Sequence, residues 1–148
     1  MENTTIRILI ADDDEGDRFI FKDALDGLNL KHLLHTVNNG LQLMEYLTKK
    51  DAVLPNIIFL DLNMPRKNGL ECLKEIRNNK KFNEISIAIY STSAAEKDLD
   101  ETFCSGANVY IKKPTSFANL KLFLSKVVEN AYLNPDESLE RANFLLSI

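Results

Sequence analysis

Acidic side chains follow two apolar runs of the sequence, and a lysine follows a third. Asp12, Asp13 and Asp14 come after the first run, Asp61 comes after a second, and Lys113 ends a later one. Carboxylates at the ends of buried strands repel one another and lose hydration, so a fold tolerates several of them most readily when a cation lies among them. These residue types predict a place where a metal ion and an anion meet.

A magnesium ion with oxygen ligands accounts for this set. Mg²⁺ is usually held by one or two carboxylates together with water and phosphate oxygens, and Asp12, Asp13 and Asp61 are the candidate ligands. Asp61 is also a candidate nucleophile, because a carboxylate that attacks phosphorus forms an acyl phosphate. The metal and Lys113 would neutralise the developing charge. Ser91, at the end of the fourth apolar run, would offer its hydroxyl to a phosphoryl oxygen.

Strand and helix patterns alternate along the chain and predict the elements that position these residues. Apolar runs predict five strands, at residues 6–11, 33–37, 56–60, 85–89 and 107–111. Helical spacing follows each strand, with one capping box predicted at Asn68 and Glu71 and another at Ser93 and Glu96. Five such units imply an α/β fold with a five-stranded parallel sheet and helices on both faces. In such sheets functional residues gather at the carboxyl ends of the strands.

The last residues of the chain form a separate feature. Asn134 and Pro135 suit the N-cap and the first helical position, which predicts a short helix running to about Ser147. Apolar residues lie on two sides of this helix, with Phe144 and Ile148 opposite the others. A helix that is apolar on two sides needs two surfaces to cover it. Two interpretations stay open: the helix packs on its own domain, or it forms a dimer contact.

Composition and charge narrow the class of protein. The chain has 148 residues, 45% of them hydrophobic, and a net charge of −4, which suits one globular domain and argues against a nucleic-acid partner. No signal peptide and no apolar run of membrane-spanning length is present, so no membrane partner is expected and the protein is expected to be soluble and cytoplasmic. Cys72 and Cys104 are far apart and are expected to be reduced.

Four motifs carry a resemblance to a known family. They are Asp12-Asp13, Asp61 within Phe-Leu-Asp-Leu-Asn-Met-Pro, Ser91 within Tyr-Ser-Thr-Ser, and Lys113-Pro114. Together they resemble the receiver domain of two-component response regulators, a doubly wound, flavodoxin-like fold. The spacings of 30 residues from Asp61 to Ser91 and 22 from Ser91 to Lys113 are typical of that family. The resemblance covers residues 5–130 and leaves 131–148 as a C-terminal helical extension.

The resemblance implies roles for the acidic residues. Asp61 would be phosphorylated by a phosphohistidine of a sensor histidine kinase or of a histidine phosphotransfer protein. Asp13 and Asp61 would bind Mg²⁺ directly, the backbone carbonyl of Asn63 would complete the protein ligands, and Asp12 would act through water.

The resemblance also implies a switch. Lys113 would pair with the phosphoryl group, and Ser91 would be the switch hydroxyl, although Thr92 directly follows it and stays an alternative. Tyr110 matches the aromatic residue whose rotamer follows that hydroxyl. The peptide bond before Pro114 is often cis in this family.

The partners are implied in the same way. The Asp-Asp-Asp-Glu-Gly-Asp opening and the helical tail are similar to those of small response regulators paired with bacterial phytochromes, which implies a bacteriophytochrome as a candidate kinase. Residues 115–148 are too few for a DNA-binding module, so a single-domain regulator with protein–protein output is expected, and a homodimer is a candidate assembly. Such a domain catalyses only its own phosphorylation and dephosphorylation.

Two alternative functions remain. Asp12-x-Asp14 after a strand is also typical of phosphatases of the haloacid dehalogenase type, but Gly16 stands where they carry threonine or valine, and a cap domain is missing. A degenerate receiver that acts only as a binding module is the other alternative. An EF-hand is excluded, because Asp17 and Asp23 occupy the positions that need glycine and glutamate.

Overall fold

Apolar runs and amphipathic stretches alternate along the chain and form strands and helices in turn. The computed structural model describes residues 5–133 and 143–147. The strands are β1 (Ile6–Ala11), β2 (His32–Val37), β3 (Ile57–Leu60), β4 (Ser86–Ser91), β5 (Val109–Lys112) and β6 (Leu145–Leu146). The helices are α1 (Glu15–Asp26), α2 (Gly40–Thr48), α3 (Gly69–Arg77), α4 (Glu96–Cys104) and α5 (Phe117–Leu133). A short 3-10 helix at Lys80–Phe82 precedes β4.

The strands form one parallel sheet in the order β2-β1-β3-β4-β5-β6. The chain moves from β1 outward to β2 and then returns to place β3 on the other side of β1. This reversal opens a crevice at the carboxyl ends of β1 and β3, which is where open α/β sheets bind ligands. The predicted doubly wound parallel sheet is confirmed, and β6 is an additional strand at its edge.

Helices cover both faces of the sheet, as predicted. On one face, α1 and α5 bury residues such as Phe21 and Leu124 against β1 and β3. On the other face, α2, α3 and α4 bury residues such as Leu47 and Leu73. Because both faces are covered, β3 is buried at every residue, as is typical of parallel sheets.

One of the two predicted capping boxes is present. Asn68 accepts a hydrogen bond from the Glu71 N–H, and the Glu71 carboxylate accepts one from the Asn68 N–H. The prediction of a capping box at Ser93 and Glu96 is wrong. The N-cap of α4 is Ala95, which lies in an extended conformation and makes no side-chain cap, so α4 begins two residues later than the motif predicts.

The C-terminal extension forms a strand where a helix was expected. The prediction of a helix up to about Ser147 is wrong at Leu145–Leu146, which form β6. Residues 134–142, the earlier part of that predicted helix, lie outside the described residues. A pair of apolar residues is compatible with a strand or with a helix, because so short a pattern does not distinguish the strand period of 2 from the helix period of 3.6.

The new strand lies on its own chain. The Tyr110 N–H donates to the carbonyl of Phe144 over 2.9 Å, and Leu145 pairs with Tyr110 in register. The Phe144 side chain is fully buried and makes edge contacts with the rings of Phe103 and Tyr110. For Phe144, packing on its own domain is therefore the interpretation that holds.

No helix among the described residues is long and apolar enough to cross a membrane. Cys72 is buried, Cys104 is exposed, and neither forms a disulfide in the part of the chain that the structure describes.

Candidate functional site

Backbone hydrogen bonds bring the ends of three strands together. The Asp61 N–H donates to the carbonyl of Ala11 over 3.0 Å, which places the residue after β3 beside the end of β1. The Lys113 N–H donates to the carbonyl of Ser91 over 2.8 Å and joins the ends of β5 and β4 in the same way. The register of the strands therefore places the predicted residues at one edge of the sheet. Contacts between their side chains are not needed for this placement.

Three carboxylates meet at this edge. Asp12, Asp13 and Asp61 each offer one oxygen, and these oxygens all lie within 4.8 Å of one another. Asp12 is fully buried and Asp61 is 5% exposed, whereas Asp13 faces solvent. The predicted trio of candidate metal ligands is thus assembled, with an open side at Asp13.

Local backbone contacts hold two of these carboxylates in place. One Asp12 oxygen, Oδ1, accepts from the Asp14 N–H over 3.0 Å, and Oδ1 of Asp61 accepts from the Asn63 N–H over 3.2 Å. The loop that follows β3 needs glycine at Gly69, because a Cβ there would lie 2.2 Å from the carbonyl oxygen of Asp61. This close approach lets α3 begin directly against the end of β3.

Lys113 lies among the acidic residues. Its Nζ is 2.8 Å from Asp12 Oδ2, 2.8 Å from Asp17 Oδ2 and 3.8 Å from Asp61 Oδ2. It also lies 5.0 Å above the centre of the Tyr90 ring. Burial opposes the charged form of this lysine, but its contacts with Asp12 and Asp17 and the charge of Asp61 outweigh burial and raise the pKa of Lys113. The ammonium is therefore charged at neutral pH.

Asp61 is held in an environment that disfavours its charge. Burial raises the pKa of Asp61 to about 7, the Lys113 ammonium opposes that rise, and the neighbouring Asp12 and Asp13 add to it. A cation between these carboxylates would lower the pKa of Asp61, because a nearby opposite charge favours the ionised carboxylate.

This donor set fits a hard divalent cation. Converging carboxylate oxygens and an open side for water are what such ions take in proteins. The residues that would hold the cation are Asp12, Asp13 and Asp61. The predicted contribution of the Asn63 backbone carbonyl stays a prediction.

The predicted switch residues lie beside this cluster. Ser91 is fully buried at the end of β4, while Thr92 is exposed, so the hydroxyl that faces the interior belongs to Ser91. Tyr110 is also fully buried, and its hydroxyl donates to the carbonyl of Ser93 over 2.6 Å. The described residues contain no cis peptide bond, so the bond before Pro114 does not follow the pattern often seen in the family.

Two contacts at the site were not predicted from the sequence. Asp17, in the first turn of α1, accepts from the Lys113 ammonium, and Arg18 donates from Nη1 to the carbonyl of Asp12 over 2.6 Å. The only signal for Asp17 was its position one turn after the acidic triplet. Nothing in the sequence links it to a lysine near the other end of the domain.

Comparison with known proteins agrees with this geometry. Residues 8–125 match the response regulator receiver domain. The chain is 30% identical to Response regulator Rcp1 of Synechocystis sp., over 76% of this chain and 80% of that protein.

Two solved structures are also similar. One is the phosphorylated cyanobacterial phytochrome response regulator RcpA, at 28% identity and a TM-score of 0.80, over 93% of this chain and all of that one. The other is the Mn²⁺-bound form of Rcp1, at 27% identity and a TM-score of 0.77, over 91% of this chain and 99% of that one. With the family match spanning most of its length, the chain belongs to the response regulator receiver domain family.

Proposed function

We propose that this protein is a response regulator that accepts a phosphoryl group on Asp61 in a Mg²⁺-dependent step. The receiver unit would span residues 5–130, with residues 131–148 as a C-terminal extension. The observation that carries the proposal is the meeting of Asp12, Asp13 and Asp61 beside Lys113. A nucleophilic carboxylate, a cation site and a fixed ammonium are what phosphoryl transfer to a carboxylate needs.

The reaction is a displacement at phosphorus. A carboxylate oxygen of Asp61 forms a bond to the phosphorus of a phosphohistidine, and the phosphorus–nitrogen bond breaks. The electron pair leaves with the imidazole nitrogen, which takes up a proton. Mg²⁺ held by Asp13, Asp61 and the Asn63 carbonyl, with Asp12 acting through water, would supply charge neutralisation at the transferring group. Dephosphorylation is a separate displacement: a water oxygen forms a bond to phosphorus, the bond from phosphorus to the Asp61 oxygen breaks, and inorganic phosphate and the Asp61 carboxylate are released with the protons of the water.

Lys113 would stabilise the charge that the phosphoryl group brings. Its Nζ is already within 3.8 Å of Asp61 Oδ2 and is largely buried, so the ammonium acts where water screens it weakly. Ser91 would donate its hydroxyl to a phosphoryl oxygen. Tyr110 lies fully buried on the neighbouring strand and would respond to the movement of Ser91.

The phosphoryl donor would be a sensor histidine kinase or a histidine phosphotransfer protein. Two similar proteins, RcpA and Rcp1, are response regulators, and RcpA is a phytochrome response regulator. This similarity supports a bacteriophytochrome as the candidate kinase. The signal would leave through protein–protein contacts at α4, β5 and α5, and a homodimer is the proposed assembly.

The experiment is incubation with acetyl phosphate and Mg²⁺. We expect one acid-labile phosphate per chain in the wild-type protein and none in Asp61→Asn, because the amide is not a nucleophile for phosphorus. The measurement is intact mass together with release of phosphate over time, and EDTA should abolish the modification.

The same experiment tests the alternatives. Continuous release of phosphate that is lost on changing Asp12 but retained in Asp61→Asn would indicate a phosphatase, which neither the family match nor the geometry favours. No Mg²⁺ binding and no phosphate on the wild-type chain would indicate a degenerate receiver.

A further inference from the structure

Asp17 contacts Lys113, the lysine that the proposed reaction needs. Asp17 Oδ2 and Asp12 Oδ2 both lie 2.8 Å from Lys113 Nζ, closer than the 3.8 Å from that nitrogen to Asp61 Oδ2. The ammonium donates a hydrogen bond to Asp17, whereas Asp12 Oδ2 makes an ion-pair contact with it and accepts no hydrogen bond from the part of the chain that the structure describes. Because an ammonium has three N–H donors in all, the N–H directed to Asp17 is one that Asp61, or a group attached to it, does not receive.

The contact with Asp17 is specific and partly shielded from water. The Lys113 side chain is 10% exposed and that of Asp17 is 34% exposed, so water screens the pair less than it screens a surface ion pair. The Asp17 backbone is fixed as well, because its N–H donates to the N-cap side chain of Asp14 over 2.9 Å. Asp17 therefore holds the ammonium from a rigid helix end.

We propose that Asp17 is a positioning residue that competes with the phosphoryl group for Lys113 and thereby limits how readily Asp61 is phosphorylated. This inference rests on the proposed function. A phosphoryl group on Asp61 presents additional charged oxygens beside the ammonium, and Lys113 must direct N–H groups to them. Asp12 is fully buried and keeps its contact, whereas Asp17 reaches solvent and is hydrated when Lys113 turns away. Asp17 is thus the contact that gives way.

A purely structural role for Asp17 gives different expectations. An acidic residue in the first turn of a helix stabilises that helix through the dipole, and Glu15 occupies the same first turn of α1. Glu15 is exposed and lies on the same element. Glu15→Gln removes the same charge from the same turn without touching Lys113, and it is therefore the matched control for Asp17→Asn.

The first measurement is the affinity for beryllofluoride, a phosphoryl mimic, in the presence of Mg²⁺. We expect Asp17→Asn to bind beryllofluoride about fivefold more tightly than Glu15→Gln, as expected when one partly buried ionic competitor is removed. The rate of phosphorylation by acetyl phosphate should rise by a similar factor. Affinity for Mg²⁺ alone should change no more than in Glu15→Gln, because Asp17 is not among the three converging carboxylates.

A second measurement reads the position of Lys113 without metal or phosphate. Competitive labelling with acetic anhydride in EDTA, followed by mass spectrometry, reports how accessible each lysine is. Lys113 should be labelled faster in Asp17→Asn than in the wild type or Glu15→Gln. Asp17→Glu keeps the charge and should restore slow labelling and weaker beryllofluoride binding.

Two results would overturn the inference. One is a beryllofluoride affinity of Asp17→Asn equal to that of Glu15→Gln, and the other is unchanged labelling of Lys113. If the wild-type protein takes up neither beryllofluoride nor phosphate, the proposed function fails and the inference fails with it. If the wild type is phosphorylated and Asp17→Asn matches its control, the inference alone fails.

Discussion

At Asp61, burial and charge oppose each other. The carboxylate must be ionised to attack phosphorus, yet burial and two neighbouring carboxylates make the ionised form costly. Lys113 offsets part of this cost from 3.8 Å. A divalent cation between Asp13 and Asp61 would offset more of it, which is why metal binding and readiness for phosphorylation should go together at this residue.

The raised pKa of Asp61 predicts how stability depends on pH. Burial raises that pKa from 3.8 to about 7, so between these values the folded protein retains a proton that the unfolded chain has lost. The contribution of Asp61 to stability is therefore fully present below pH 3.8 and is lost as the pH rises towards 7. Asp61→Asn lacks this dependence.

We expect the midpoint of thermal unfolding of Asp61→Asn, measured in EDTA, to exceed that of the wild type by an amount that grows from pH 5 to about pH 7 and levels off at higher pH. Mg²⁺ should narrow the difference, since it neutralises the wild-type carboxylates and stabilises the state that binds it. A difference that stays constant over this pH range would contradict the environment described for Asp61.

Among the elements, β6 connects the C-terminal extension to Tyr110, the predicted switch residue. The strand is two residues long, and the backbone bond from the Tyr110 N–H to the Phe144 carbonyl precedes it. Phe144 is fully buried against the rings of Phe103 and Tyr110. Residues 144–146 therefore cover the edge of β5 and one side of the tyrosine ring.

Phe144→Ala should release this segment. A buried Phe→Ala change costs about 3–5 kcal/mol where the site is rigid, but a terminal segment can detach, so the global free energy of unfolding should fall by less, about 1–3 kcal/mol. Hydrogen exchange at the Tyr110 amide should become faster, because its acceptor is the Phe144 carbonyl. The matched control is Phe19→Ala, the same change at a side chain that is 67% exposed. Equal exchange at Tyr110 in the two variants would contradict the docking of the segment.

In the whole molecule, two apolar layers cover the faces of the sheet. The acidic residues and Lys113 therefore lie at one edge of the sheet, at the ends of its strands. The layer with α1 and α5 and the layer with α2, α3 and α4 bury opposite faces. The crevice between β1 and β3 is thus built on rigid strands. Tyr110 belongs to the second layer, together with Phe144, so a movement of Ser91 that Tyr110 follows, as proposed, would reach the surface formed by α4, β5 and β6.

We expect this change to alter the oligomeric state. Size-exclusion chromatography with light scattering should give a larger apparent mass in beryllofluoride and Mg²⁺ than in Mg²⁺ alone. The shift should be absent in Asp61→Asn, which does not hold the mimic at position 61. An unchanged mass in all samples would contradict the proposed homodimer.

Much of the fold and the site was predictable from local pattern. Fully apolar runs predict buried parallel strands because both faces of such a sheet are covered. The positions of Asp12, Asp61 and Lys113 at the ends of those runs place them at one edge, since parallel strands share a direction. The Asn68–Glu71 capping box was equally local and is present.

Tertiary structure decided the remaining features, because they depend on residues far apart in the chain. The contact from Lys113 to Asp17 joins positions separated by 96 residues, and no local pattern selects Asp17 from the other acids of α1. The strand at Leu145–Leu146 forms because it pairs with the free edge of β5. The local sequence around Leu145 does not indicate that such an edge lies nearby. Sequence determined which chemistry was possible at Asp61, and packing decided which neighbours compete for it.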